Sequence, residues 1–305
     1  SGRYLVDSGN LEIDSDNIWV IGYGEGVTVF ERTSSQNGFA FWWARNTNTN
    51  GGGLAHCTLK GTTTNASGNG GVAFGYDSDP VFRKANSWLL MNVTCRDWSQ
   101  YGVGINSGDN WLAKDVKVLN HGITSGNLAS CIAFYVYPKS TSSNGRLHNI
   151  RAEVSAASEA VSNGAAIKLQ THSNLQAEML YAKGGAEQCV SIDSISGTVR
   201  NLTARANGAK PGVAVLNYNP AHSFTGKFVL DGVDCNDPLF SVSLVIAAAA
   251  SGETTPRLKG VTIKNVRCSL VRVNSRAAWQ DCVFENFYCT AAFRLDHATA
   301  GVEPP

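Results

Sequence analysis

Three eight-residue stretches, WLLMNVTC (88–95), VTIKNVRC (261–268) and CVFENFYC (282–289), obey one rule, with asparagine in fifth place and cysteine in eighth. Written as apolar, outward, Asn or Asp, apolar, outward, small or apolar, the rule recurs as SDNIWV, LAHCTL, LMNVTC, AKDVKV, LHNIRA, AEMLYA, VRNLTA, LDGVDC, IKNVRC and FENFYC. Its third positions are Asn17, His56, Asn92, Asp115, Asn149, Met179, Asn201, Gly232, Asn265 and Asn286. They return about every 30 residues, the spacing of a solenoid in which one period is one coil.

A second apolar alternation follows most copies, in GVAFGY, GVGINS, CIAFYV, AIKLQT, CVSIDS, GVAVLN, LFSVSL, LVRVNS and AFRLDH. Alternation over four to six residues predicts half-buried strands. Parallel strands stacked about 4.8 Å apart turn equivalent residues into ladders, so asparagines at a bend can hydrogen-bond along the stack and serve the fold. Asn92 and Asn201 begin N-x-[ST] sequons, as does Asn65, but as members of that column the first two are expected to point inward. The last motif position (Val20, Leu59, Cys95, Val118, Ala152, Ala182, Ala204, Cys235, Cys268, Cys289) reads as an inward file in which thiols pack as small hydrophobes. A leucine-rich horseshoe fits less well, because the asparagine precedes the apolar pair, helical periodicity is missing and leucine does not dominate. The expected fold is all-β: a single-stranded right-handed parallel β-helix of about ten coils, with residues 1–305 as one domain.

Lys plus Arg number 25 and Asp plus Glu 24, a net charge of +1, so no global field draws nucleic acid or an anionic membrane. Charged residues make up only 16% and glycines number 31, which favours strands and turns. No apolar run is long enough for a membrane helix, and SGRYLVDSGN lacks the pattern of a signal peptide. The eight cysteines include neither a CxxC pair nor a zinc spacing, and no metal set is expected.

At these repeats, and in the segment DNIWVIGYGEG (Asp16 to Gly26), the chain resembles the pectate-lyase-like β-helix superfamily, closest in style to bacteriophage tailspike depolymerases. The resemblance implies a homotrimer at a virion surface or outside the cell, acting on a bacterial surface glycan. It transfers no catalytic residue: polygalacturonase signatures are missing apart from NHG at 120–122, and the DH of Asp296 and His297 falls in a capping position. GYGEG at 22–26 reads as a glycine corner, since no helix follows it. Asp77 and Asp79 sit in a turn where Ca2+ would be possible, although no cofactor is required.

On the second strand the outward pairs are Ala73 and Gly75, Gly104 and Asn106, Ala133 and Tyr135, Lys168 and Gln170, Ser191 and Asp193, Ala214 and Leu216, Ser241 and Ser243, Arg272 and Asn274, Arg294 and Asp296. Aromatic and hydrogen-bonding groups gather at the middle, as a carbohydrate groove needs. The candidate site comprises Asp193 as general acid or base, Glu187 (or Glu159) as its partner, Lys168 and His172 as alternative bases, and Tyr135, Tyr137, Gln170 and Tyr218 as sugar contacts. Glu153, Lys183 and Arg205 share one offset on the neighbouring strand; Glu153 and Arg205 join the candidate contacts, or the file is a surface ion-pair ladder. Two carboxyl groups would hydrolyse a glycoside, whereas Lys168, His172 or Tyr135 would suit β-elimination from a uronate. A silent β-helix, adhesin or spike, is the reading from another class. The small residues Ala73, Gly75, Gly104 and Ala133 form a smooth strip expected to receive another subunit.

Overall fold

A computed structural model describes residues 2–6, 9–32, 38–62, 69–78, 81–122, 131–137, 142–155, 164–185, 187–207, 211–217, 227–248, 258–275 and 279–296. Each coil contributes two extended segments that pair in parallel with those of the coils before and after it, building a 21-stranded sheet. The coil of Leu89–Arg96 is typical: it pairs with Gly53–Lys60 on one side and Leu112–His121 on the other, skipping Asn92 in both registers. The skipped residue bends the strand sharply, so a coil has three faces. In this one they are residues 89–91, residues 93–96 and the second strand Tyr101–Ile105.

The bend explains the motif. His56, Asn92, Asp115, Asn149, Met179, Asn201, Gly232, Asn265 and Asn286 all have φ between 51° and 76°, the left-handed region that Asn, Asp and Gly enter at least cost. The amides bond along the axis: Asn149 Nδ2 donates to Asp115 Oδ1 at 2.7 Å and Asn286 Nδ2 to Asn265 Oδ1 at 3.1 Å. Contrary to expectation, Asn92 and Asn201 are exposed, because a left-handed residue at a convex corner directs its side chain outward. Asn17 also departs from the pattern. Trp19 pairs with Gly53, which places Asn17 two residues earlier, level with Gly51, Ser87, Asn110, Asn144 and Asn174 at the preceding corner. That corner carries its own amide ladder, with Asn144 Nδ2 donating to Asn110 Oδ1 at 3.0 Å and Asn174 Nδ2 to Asn144 Oδ1 at 2.8 Å.

Inward files fill the interior. Leu59, Cys95, Val118, Ala152, Ala182, Ala204, Cys235, Cys268 and Cys289 are register partners, as expected, with Phe30 rather than Val20 beside Leu59. Their thiols are free, with Cys268 and Cys289 Sγ 3.4 Å apart. Aromatic rings stack along the axis toward the amino-terminal end: Trp43 on Phe74 at 5.2 Å, Phe74 on Trp88 at 3.8 Å and Trp88 on Trp111 at 5.1 Å. His172 ends this stack, edge-on to Trp111 and only 2% exposed.

Two second-face expectations change with this register, both on the side of the second strand. In the coil of Leu244–Ala248 the outward position is Val245, while Ser243 is buried and bonds Ser269 at 2.6 Å. The short alternation LFSVSL had pointed to Ser241 and Ser243. Ala133 also faces inward, into the core with Ala40 and Ala166, because two consecutive residues turn toward the axis there.

Candidate functional site

The outer side of the second-strand sheet begins as an aromatic floor. Glycine at 70 and 104 makes room for Phe39, whose ring would meet added β-carbons at 2.5 Å and 3.0 Å. Of the strip of small residues, Gly104 is therefore covered by this chain's own side chain, and Ala133 faces the core. Phe39 stacks on Tyr101 with centroids 5.8 Å apart, Tyr101 on Tyr135 at 5.6 Å, and Tyr135 meets Tyr137 at 5.4 Å. Trp42 closes the other side, 5.2 Å from Phe39 and 5.7 Å from Tyr76, with the Arg45 guanidinium 5.0 Å above its ring.

The floor runs into ionisable groups. Tyr135, Lys168 and Ser191 are register partners on successive rungs, and Gln170 pairs with Asp193. Asp193 is 8% exposed; the Ser194 hydroxyl donates to its Oδ1 at 2.7 Å and the Gln170 amide to its Oδ2 at 3.4 Å. Burial lowers the Lys168 pKa, opposed by the carboxylates of Glu187 and Asp193. Burial, then the charges of Asp193 and Asp77, raises that of Tyr137. Tyr135 is raised mainly by burial, with Tyr101, Tyr137 and Asp77 adding to it. Both phenols consequently stay protonated at neutral pH and can donate hydrogen bonds. Asp77, a turn residue to the sequence, thus belongs electrostatically to the same cluster, and one of its oxygens is buried.

The structure gathers Tyr135, Tyr137, Lys168, Gln170, Asp193 and Glu187 as expected, and adds Phe39, Trp42, Tyr76, Asp77 and Tyr101. It does not bring in His172. That imidazole is buried against Trp111 on the inner side, and burial holds it neutral with a pKa lowered to about 4. Polarity suggested an outward residue, but its chain position lies past the strand end at Gln170, where the backbone turns the ring inward. Glu153 and Arg205 lie on a different face in ion pairs, Glu153 with Arg151 at 2.5 Å and Arg205 with Asp234 at 2.7 Å. These separate surface pairs hold them away from the aromatic groove. Tyr218, Glu159, Asn65 and Asp79 lie outside the described residues. Among those described, no group of three His, Cys, Asp or Glu could hold a metal ion.

No family model matches the chain, and no curated protein matches it. Among solved structures, the A-module of the Azotobacter vinelandii mannuronan C-5 epimerase AlgE6 has a TM-score of 0.50 at 14% identity, over 97% of this chain and 90% of that one. The corresponding module of AlgE4 from the same organism gives 0.46 at 15% identity, over 99% and 89%. The Dettilon tailspike protein gives 0.47 at 11% identity, over 90% of this chain and 62% of that one. With sequences this divergent, the AlgE6 likeness speaks to architecture alone and agrees with the register traced above: the chain is a right-handed parallel β-helix.

Proposed function

We propose that this protein binds a bacterial surface polysaccharide along the aromatic floor and cleaves it beside Asp193, as a depolymerase of the tailspike kind at a virion or cell surface. The observation that carries this reading is the continuity of stacked rings with a carboxylate-rich end on one face. Sugar rings present apolar faces to aromatics and hydroxyl edges to polar groups, and such a strip offers both in sequence along the axis. The protonated Tyr135 and Tyr137 would orient hydroxyls. Hydrolysis needs a proton donor to the leaving oxygen and a carboxylate to activate water or stabilise the sugar cation. Asp193 takes one role, and Glu187 or Asp77 the other. Lys168 balances the charge of Asp193 and Glu187 while the glycan is absent.

A second reading rests on Lys168 itself: an amine whose pKa burial lowers is suited to removing the proton beside a uronate carboxyl, which makes the protein a lyase. Incubation with capsule, O-antigen or exopolysaccharide separates the cases. New reducing ends without ultraviolet absorbance mark hydrolysis, and absorbance from an unsaturated uronate marks elimination. Binding with neither signal leaves a silent adhesin. Full activity in Asp193→Asn would refute the assigned centre.

A further inference from the structure

A separate groove of about 850 Å³ lies on the first face, the side of each coil that precedes the bend. It crosses four rungs, and its wall is the amide ladder Asn110–Asn144–Asn174. Across its floor Arg146, Gln176 and Thr198 are register partners, flanked by the column His148, Glu178, Arg200. Glu178 and His148 approach at 3.8 Å. Arg146 and Arg200 are exposed, and neither pairs with a carboxylate among the described residues. They stand two rungs apart, roughly 10 Å along the axis.

We propose that this groove is a second ligand site, for a stretch of polysaccharide carrying widely spaced carboxylates. Each guanidinium would take one carboxylate through paired N–H donors. The amide ladder, Gln176 and Thr198 would serve the hydroxyls between, because amides both donate and accept. The same spacing disfavours nucleic acid. A duplex presents a charge roughly every 1.7 Å and calls for dense cations, whereas this floor sets a carboxylate, Glu178, between its two arginines. A site off the aromatic face would keep the protein on a long chain between encounters at the other groove, through high local concentration.

The test uses the full chain in an Asp193→Asn background and measures binding of a short oligogalacturonate and of its carboxyl-reduced, neutral counterpart. Removing Arg146 or Arg200 as alanine weakens uronate binding about tenfold each and leaves the neutral ligand unaffected. Glu178→Gln tightens uronate binding several-fold, a gain that a damaged fold would not produce. Unchanged uronate affinity in Arg146→Ala/Arg200→Ala overturns the proposal. So does equal loss of both ligands, or no gain in Glu178→Gln. Glycan cleavage at the aromatic face is scored separately in the parent, so failure of either site is distinguishable from failure of the other.

Discussion

Met179 occupies a corner that eight other coils fill with Asn, Asp, Gly or His, and it does so at φ 59° with 48% of its surface exposed. Replacing it with asparagine should stabilise the protein. A side chain other than Gly, Asn or Asp costs roughly 1–2 kcal/mol in the left-handed region. Asparagine would also join the ladder between Asn149 and Asn201, its register neighbours' corner residues, and a hydrogen bond there is worth about 0.5–1.5 kcal/mol. Against this, the half-buried thioether gives up about half of the roughly 1.5–3 kcal/mol that full burial of such a side chain provides. The balance is a net gain of about 1 kcal/mol. For a chain of this length, at about 2.1 cal/mol/K of unfolding entropy per residue, that raises Tm by roughly 1–2 °C. Urea unfolding followed by far-ultraviolet circular dichroism gives the larger signal, as a midpoint shift at constant slope. The reciprocal change, Asn149→Met, should cost about 1–3 kcal/mol by the same reasoning. If Met179→Asn is less stable than the parent, or Asn149→Met is not, the corner column is not held by left-handed preference and amide bonding.

Burial lowers the pKa of His172 to about 4, and that of His121, whose Nε2 contacts the Gln100 carbonyl, also to about 4. The unfolded chain takes up protons at these positions below about pH 6.5 while the folded chain does not, so stability falls as pH drops from 6.5 toward 4. His172→Phe should remove about 2 kcal/mol of that fall at pH 5, measured as the difference in unfolding free energy between pH 7 and pH 5, and leave glycan cleavage intact. Asp193→Asn should lower kcat by about a hundredfold or more with little change in KM. Tyr101→Ala should act the other way, raising KM through loss of a stacking ring. Burial pushes the Cys57, Cys189 and Cys235 thiols up to about 12 and raises that of Cys95 in the same direction. In the folded protein these four should resist alkylation at neutral pH and react only on unfolding, read by mass spectrometry.

The architecture was legible because a parallel solenoid writes its constraints at one position per coil, and the left-handed corner admits few residue types. The same economy misled at Asn17, since both corners on either side of the first face favour asparagine and the local motif cannot tell them apart. Direction was harder to read than position. A corner asparagine and a post-strand histidine carry no sign of which way the backbone turns them, so Asn92 was expected inside and His172 outside. Lys168, Gln170 and Asp193 were found because they lie within one uninterrupted alternation. Phe39 was not, because it reaches the site sideways across Gly70 and Gly104 from another coil. Asp77 looked like a turn former, and its electrostatic part in the cluster depends on the long-range approach of Tyr135 and Tyr137.

The axial aromatic column has a spectroscopic consequence. Trp88 and Trp111 are nearly coplanar in orientation, 2° apart, with Phe74 and Trp43 continuing the stack. Indole rings stacked face to face at 5.1 Å are close enough to couple electronically, so the native fold should display a near-ultraviolet dichroism band that differs from the sum of two isolated indoles. Slippage of one winding against the next would abolish that band before strand content changed, making the protein its own unlabelled gauge of alignment along the spindle.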